Sequence, residues 1–259
     1  MQDCHIHSNY SDGHFLNAMV RAAEETELTG VGFADHCNVS PREAMADTRA
    51  LQGFNLDVTY ERRRRAIRRL REDADIEIYD AVELDYEPRD ETRIRNFLDE
   101  SEFDYAIGSV HWIDDTNIQV DSNFAGKTAD ELDVIVDRYF EKLVALIESE
   151  LFDIAAHVDL VERTGALRGR ATREHYYRTA RALVDSRTIP EINAGRALTD
   201  AGIVHPDSAF LDVLREYDIP VTVGTDSHRP DELGRRAEFI AELLAERDLE
   251  PVAPSEFRP

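Results

Sequence analysis

Short runs of apolar and β-branched residues alternate along the chain with longer segments in which apolar residues recur at helical spacing. This alternation is typical of parallel strands joined by crossover helices. The clearest helix is predicted at residues 131–147, and Thr172 and Pro206 are predicted to begin two others. Seven strands are predicted, at residues 3–7, 31–35, 76–84, 104–111, 153–157, 189–193 and 221–225.

The ends of these strands favour a closed barrel over an open sheet. No Gly-x-Gly-x-x-Gly turn follows the first strand, so the dinucleotide crevice of an open sheet has no support. Metal-binding residue types stand at or just after the ends of most strands, and they meet at one mouth only if the sheet closes. We therefore predict a single α/β barrel domain at residues 1–250, followed by an irregular tail at residues 251–259.

The charge of the chain narrows the classes of function. The 259 residues carry a formal net charge of −24, and Lys127 and Lys142 are the only lysines. Such a field repels nucleic acid and anionic lipid, and a dense acidic surface suits concentrated salt, so we infer a halophilic protein. The chain has no bilayer-length apolar run and no signal-peptide pattern, so we expect it in the cytoplasm, where Cys4 and Cys37 would stay buried thiols.

The candidate chemistry begins with His5 and His7, which are separated by one residue on a strand and therefore project from the same face. A single His-x-His is as often a pair of ordinary histidines, so the prediction depends on the whole set. Histidine together with carboxylates suits zinc, manganese or iron, whereas oxygen ligands alone would suit magnesium or calcium. The further candidates at strand ends are His36, Glu83, His111, His157, Asp226 and His228.

These motifs resemble the PHP (polymerase and histidinol phosphatase) domain family, and within it the histidinol-phosphate phosphatases. The resemblance covers nearly the whole chain, in family order. It rests on Asp3-Cys-His5-Ile-His7, Ser11-Asp12-Gly13, Ala34-Asp35-His36, Ala81-Val-Glu83-Leu-Asp85-Tyr86, Ile107-Gly-Ser-Val-His111-Trp112, Ala156-His157-Val-Asp159-Leu160, Glu191-Ile-Asn193 and Gly224-Thr-Asp226-Ser-His228-Arg-Pro.

The resemblance implies a distorted (β/α)7 TIM-like barrel that holds up to three divalent ions. It assigns the first ion to His5, His7, Glu83 and Asp226, the second to Glu83, His111 and His157, and the third to Asp12, His36 and His228. Many phosphatases of this family place a histidine in the turn after His-x-His, so His14 stays an alternative to Asp12. The same turn also occurs in branches that resemble nucleases.

The mechanism expected for such a site is hydrolysis of a small phosphate monoester, and by resemblance the substrate is L-histidinol phosphate in histidine biosynthesis. Two ions sharing Glu83 would make a bridging hydroxide available near neutral pH. Glu83, Asp226 and His228 are assigned as the catalytic residues. The phosphate is expected to meet Arg163 and Arg196, with Asn193 beside them, although surface ion pairs are the competing interpretation of these arginines. The leaving-group acid is left open between a metal-bound water and a carboxylate such as Asp159.

Three other functions remain as alternatives. A nuclease or nucleotide phosphodiesterase could use the same metals, but a basic groove for long polymers is missing. An amidohydrolase often needs a lysine at a strand end, and neither lysine is placed there. A non-catalytic metal-binding module need not keep a full ligand set. Outside the site, the arginine run at residues 62–65 is predicted to be a solvated helix face, and His175 and His205 to be structural or surface residues.

Overall fold

Strands and helices alternate in the computed structural model, which describes residues 1–257. The strands are β1 (Gln2–Ile6), β2 (Gly30–Phe33), β3 (His36–Cys37), β4 (Glu77–Asp85), β5 (Tyr105–Ser109), β6 (Trp112–Ile113), β7 (Thr116–Asn117), β8 (Ile154–Ala155), β9 (Ile189–Arg196), β10 (Ile203–His205) and β11 (Thr222–Gly224). The helices are α1 (Leu16–Glu24), α2 (Glu43–Gln52), α3 (Tyr60–Arg71), α4 (Glu91–Ser101), α5 (Ala129–Glu148), α6 (Arg173–Val184), α7 (Ser208–Glu216) and α8 (Pro230–Arg247).

Each of the seven predicted strands overlaps a strand of one curled sheet, and neighbouring strands in this set are parallel. They follow one another as β1, β2, β4, β5, β8, β9 and β11. The two ends meet because Asp226 N donates to His5 O at 2.7 Å and His7 N donates to Ser227 O at 2.9 Å. Strand β8 is very short, and β10 adds an antiparallel partner to β9. The predicted distorted TIM-like barrel is confirmed.

The helices cover the outside of the sheet, and capping side chains determine where several of them begin. Helix α5 follows the predicted apolar stripe, and Thr128 and Glu131 form a capping box at its start. Thr172 caps α6 as predicted. The start predicted at Pro206 is two residues early: α7 begins at Ser208, and Asp207 is its cap, because its side chain accepts a hydrogen bond from Phe210 N at 2.8 Å.

The prediction of a solvated arginine run is wrong for Arg63 and Arg64. Arg63 is 0% exposed and reaches Asp35 and Asp80, while Arg64 is half-buried and also contacts Asp80. Arg62 and Arg65 are exposed as predicted, and Arg65 pairs with Glu61 at 3.4 Å. Four consecutive residues of a helix point about 100° apart, so at least one of them has to face the barrel.

The other side chains predicted to be structural are buried. His205 is fully enclosed with Nδ1 2.7 Å from Asp159 Oδ1, and His175 stacks on Phe140. Cys4 and Cys37 are buried free thiols. Among residues 1–257, no helix is both long and apolar enough to cross a membrane.

The C-terminal segment lies against the barrel. Val252 N donates to Val221 O at 2.8 Å, and Phe257 packs edge-on against Tyr105 with ring centroids 5.4 Å apart. A short 3-10 turn occupies Pro254–Glu256 within the tail that was predicted to be irregular. The last two residues of that tail lie outside the described residues.

The net charge of −24 leads to a prediction about salt. Raising KCl shortens the screening length from about 10 Å at 0.1 M to about 3 Å at 1 M, which weakens repulsion among the surface carboxylates. We expect the melting temperature to rise by at least about 5 °C between 0.1 and 2 M KCl, which corresponds to roughly 2 kcal/mol for a domain of this size. Differential scanning calorimetry would measure this, and an unchanged or falling melting temperature would exclude the halophilic interpretation.

Candidate metal centre

The side chains predicted to bind metal converge on one end of the barrel, around Glu83. Its carboxylate is buried near the end of β4 and has five imidazoles within 4 Å. The nearest imidazole nitrogens lie 2.7 Å away in His36, 3.1 Å in His157, 3.4 Å in His111, 3.5 Å in His5 and 3.9 Å in His7. His5 lies one residue before the end of β1, His36 forms the short β3 after β2, and the others follow strands, so the barrel itself brings them together.

Three sets of side chains have ligand atoms that all lie within 4.8 Å of one another. The deep group consists of His5, His7 and Glu83, and the middle group consists of His36, Glu83 and His111. The outer group consists of His7, Asp12, His36 and His228. His7 and His36 each belong to two groups, whereas the resemblance assigned each of them to one ion.

Two predicted ligands border these groups. Asp226 Oδ1 lies 3.3 Å from His7 Nε2, and His157 Nε2 lies 3.1 Å from Glu83 Oε1. The positions of Asp12 and His14 favour Asp12 as the residue of the outer group. Asp12 Oδ1 lies 3.3 Å from His228 Nε2, whereas His14 is exposed and packs against Phe15.

The chemistry of these donors fits divalent cations. Glu83 Oε2 is buried and accepts no hydrogen bond, although imidazoles surround it. The Nε2 atoms of His5 and His7 lie 3.2 Å apart, a distance at which one ring can donate to the other or both can bind one cation. Neutral imidazoles with carboxylates are the ligand set of zinc and related transition metals.

Carboxylates behind the imidazoles fix their orientation. His5 Nδ1 lies 2.8 Å from Glu191 Oε1, and His111 Nδ1 lies 2.8 Å from Asp85 Oδ1. A partner on Nδ1 leaves Nε2 to face the metal position, as in the carboxylate–histidine pairs of many metal sites. Glu191 was not predicted as a site residue. Its position two residues before Asn193 on a strand was the available signal, since both side chains must share one face.

Two of the predicted ligands hold an unusual backbone conformation. His157 has φ of 30° and Asp226 has φ of 50°, in the region that residues with side chains rarely occupy. His157 N donates to Glu191 Oε2 at 3.1 Å, and Asp226 N donates to His5 O. Strain of this kind persists where the surroundings enforce it, and here it turns two ligand side chains toward Glu83 and His7.

The side chains of the site form a network of opposed charges. Burial lowers the pKa of His5, but the carboxylates of Glu191 and Glu83 outweigh it and leave this pKa well above its ordinary value. Burial also opposes the charge on His36, yet Glu83 raises its pKa to about 10. Burial lowers the pKa of His7 to about 4, with His228 and His36 adding to the effect. Because metals bind neutral imidazole, ion loading must displace protons from His5 and His36.

The sequence comparison identifies the family. Residues 3–195 match the PHP domain. The chain belongs to this family. Curated relatives from Deinococcus radiodurans and Clostridium acetobutylicum, each named "Probable histidinol-phosphatase", are 25% and 24% identical over 164 and 171 residues. The matches cover 62% and 61% of this PHP chain and 62% and 63% of the relatives, so the chain spans less than two thirds of their length.

The fold of this PHP domain is similar to that of a solved structure from Lactococcus lactis subsp. lactis. That structure is of histidinol phosphate phosphatase complexed with Zn, L-histidinol and phosphate. The TM-score is 0.75 at 20% identity, and the alignment covers 97% of this chain and 95% of that chain. The family resemblance inferred from the motifs is therefore confirmed, and the structural likeness adds the fold.

The three predicted substrate residues occupy different positions around the cavity of this PHP domain. Arg163 lines the cavity with its side chain 14% exposed, and its Nη2 lies 3.6 Å from Asp226 Oδ2. Arg196 is exposed at the mouth. Asn193 is fully buried behind the cavity, where its amide donates to Glu191 at 3.0 Å and to Asp226 at 3.4 Å. Asn193 is therefore placed to hold Asp226 and Glu191.

Asp159 also lies away from the cavity lining. It is fully buried, where it contacts His205 and accepts a hydrogen bond from Asp207 N at 2.7 Å. Both carboxylate oxygens are thus engaged by the polypeptide. This placement removes the support for Asp159 as a direct proton donor to a leaving group.

We expect Glu191→Gln to weaken metal binding by about 10–100-fold, the usual effect of removing the partner of a ligand histidine. The amide keeps the size of the side chain but loses the charge that orients His5. Equilibrium dialysis followed by metal analysis would measure the affinity. A matched control is Glu162→Gln, because Glu162 is also buried but accepts from Gly169 N outside the metal centre. Equal affinities in both variants would show that Glu191 does not support the ligands.

Proposed function

We propose that the protein is a metal-dependent phosphomonoesterase, with L-histidinol phosphate as its first candidate substrate. The observation that carries the proposal is the position of Arg163, a nearly buried guanidinium beside Asp226 that lines the same cavity as the imidazoles around Glu83. A phosphate dianion needs fixed positive partners on several sides, and a forked guanidinium is well suited to phosphoryl oxygens.

The deep, middle and outer groups would hold the ions, with Asp226 and His157 completing the coordination. When bound, such ions polarise phosphoryl oxygens and provide a nucleophile near neutral pH. The chain contributes a rigid arrangement. Glu83 is shared by the deep and middle groups, and Glu191 orients His5. His228 Nε2 and Asp12 Oδ1 stand 3.3 Å apart at the outer side, and in our proposal both bind metal there.

Arg163 is held ready for the phosphate. Its Nη1 donates to Gln119, and its Nε is buried without a partner. Two other arginines in the cavity wall are tied to the backbone: Arg236 donates to Asp226 O at 2.8 Å and Arg49 donates to Ser40 O at 2.9 Å. Arg163 is accordingly our choice for binding the phosphoryl group, with Arg196 as a weaker partner at the mouth.

The size and lining of the cavity support a small substrate. Its volume is about 390 Å³, within the range of small-molecule sites, and the net charge of −24 opposes long nucleic acids. Besides the metal groups, the cavity lining offers aromatic and amide side chains that suit a leaving group with a polar ring. These are Asn38, Gln52, Phe54, Asn55 and Trp112.

Steady-state phosphate release in high salt tests the proposal. The metal-loaded protein would be assayed with histidinol phosphate, other small monoesters and a short single-stranded oligonucleotide. We expect the highest kcat/KM with histidinol phosphate and no cleavage of the oligonucleotide. A preference for another monoester would replace the substrate but keep the reaction class. Selective oligonucleotide cleavage would instead support the nuclease alternative.

A further inference from the structure

A buried ion pair lies behind the outer group and has no part in the chemistry proposed above. Arg63 on α3 donates through Nη1 to Asp35 Oδ2 at 2.7 Å and through Nη2 to Asp80 Oδ1 at 2.8 Å. It also donates to Ala81 O, and its side chain is 0% exposed. Asp35 is fully buried, and Arg63 is the arginine paired with it. Removal of the Arg63 charge would therefore leave Asp35 buried without its counter-charge.

Asp35 connects this pair to the turn that carries Asp12. Asp35 Oδ1 accepts from Ser8 N and from Ser11 Oγ, each at 2.7 Å, and Oδ2 accepts from Ser8 Oγ at 2.7 Å. The turn then closes on itself, since Ser11 N and Gly13 N both donate to Ser8 O at 3.0 and 2.9 Å. A side chain at Gly13 would meet the backbone of His7 at 2.4 Å, so the turn is packed directly against that ligand.

Asp12 itself is weakly anchored. Its side chain is 41% exposed, and its neighbours are the three histidines of the outer group. Its position therefore depends on the turn, and the turn depends on Asp35. Three of the four residues of the outer group are thus next in the chain to Asp35 or to a serine that hydrogen-bonds to it. His36 follows Asp35, His7 precedes Ser8, and Asp12 follows Ser11.

The deep and middle groups have separate supports. His5 is oriented by Glu191 and His111 by Asp85, and neither carboxylate contacts Arg63 or Asp35. Glu83 belongs to both of these groups but not to the outer group. His7 and His36 are shared with the outer group, but Asp12 belongs to the outer group alone. Displacement of the turn at residues 8–13 would consequently move Asp12 away from the outer group, while Glu191, Asp85 and Glu83 would still hold the other two groups.

We propose that Arg63 and Asp35 are positioning residues for the outer metal site, so that occupancy of this site can be lost separately from the deep and middle sites. The inference rests on the proposed three-ion centre, and it is independent of which phosphate ester is the substrate. Arg63 neutralises Asp35, Asp35 fixes the turn, and the turn presents Asp12 beside His36 and His228. The chemical class of the bound species is a divalent transition-metal cation.

The test counts metal ions per chain after dialysis of the full-length protein against graded free Zn²⁺ in high salt. Arg63→Met removes the neutralising charge, and Ser8→Ala removes one hydrogen bond to Asp35 without leaving an unpaired charge. Arg65→Met is the matched control, because Arg65 lies on the same helix with its side chain 77% exposed. Circular dichroism would establish which variants are folded.

We expect three ions in the wild type and in Arg65→Met, and two tightly held ions in Arg63→Met. Ser8→Ala should keep all three but bind one of them about 10–100-fold more weakly. If Arg63→Met does not fold, Ser8→Ala decides the question. The proposal is overturned if the folded variants bind the third ion as tightly as the wild type, or if all ions weaken together. A wild type that binds fewer than three ions also overturns it. Phosphate release, measured on the same samples, tests the proposed function separately.

Discussion

Replacing Glu83 with glutamine is expected to lower phosphate release from histidinol phosphate by at least about 1000-fold, or about 4 kcal/mol of transition-state stabilisation. The expected cause is loss of metal, because Glu83 belongs to two of the three ligand groups and lies within 4 Å of five imidazoles. Glutamine preserves the size of the side chain but offers one weakly basic oxygen where the glutamate offers two charged ones.

Metal analysis and kcat/KM on the same samples would measure this effect. Glu77→Gln is the matched control, since Glu77 begins the same strand at its exposed end, far from the metal groups. The control should keep wild-type metal content and activity. Full activity in Glu83→Gln would contradict the proposed centre, and loss of activity with all metals retained would restrict Glu83 to the chemical step.

Replacing Arg163 with methionine should reduce kcat/KM by about 100–1000-fold without changing the number of bound ions. The loss of one preorganised hydrogen-bond donor to a developing oxyanion costs about 2.7–4 kcal/mol. Arg163 is nearly buried beside Asp226, where charge interactions are screened less than at the surface. Methionine retains much of the apolar stem, so the packing around Gln119 should change little.

Two further variants separate charge from geometry. Arg163→Lys keeps the charge but loses the planar fork, so it should recover only part of the activity. Arg196→Met should have a smaller effect, because Arg196 is exposed at the mouth of the cavity. A reduction in bound metal in Arg163→Met would mean that Arg163 supports Asp226, and an unchanged kcat/KM would exclude it from phosphate binding.

The barrel and the convergence of the candidate ligands could be predicted from the sequence for a simple physical reason. Parallel strands end at one face of a closed sheet, so polar residues after successive strands must meet. His5, Glu83 and His157 illustrate this, because they are distant in the chain but adjacent at the mouth. The ligand types then limit the chemistry before any distance is known.

Depth within the site could not be predicted. Asn193 follows the same rule as the ligands, yet it lies one layer behind the cavity, because the length of β9 decides which of its side chains reach the opening. Arg63 shows a second limit. A run of arginines predicts a solvated face from composition, whereas a buried acid on a neighbouring strand can stabilise one of them inside.

The most direct measurement of the central claim is phosphate release from histidinol phosphate after metal removal and replacement in high salt. Chelation should abolish the activity, and titration with Zn²⁺ or Mn²⁺ should restore it in proportion to the ions bound per chain. Activity that survives complete metal removal would contradict the account. So would a fully metal-loaded protein that releases no phosphate from any small monoester, which would instead favour a non-catalytic metal-binding module.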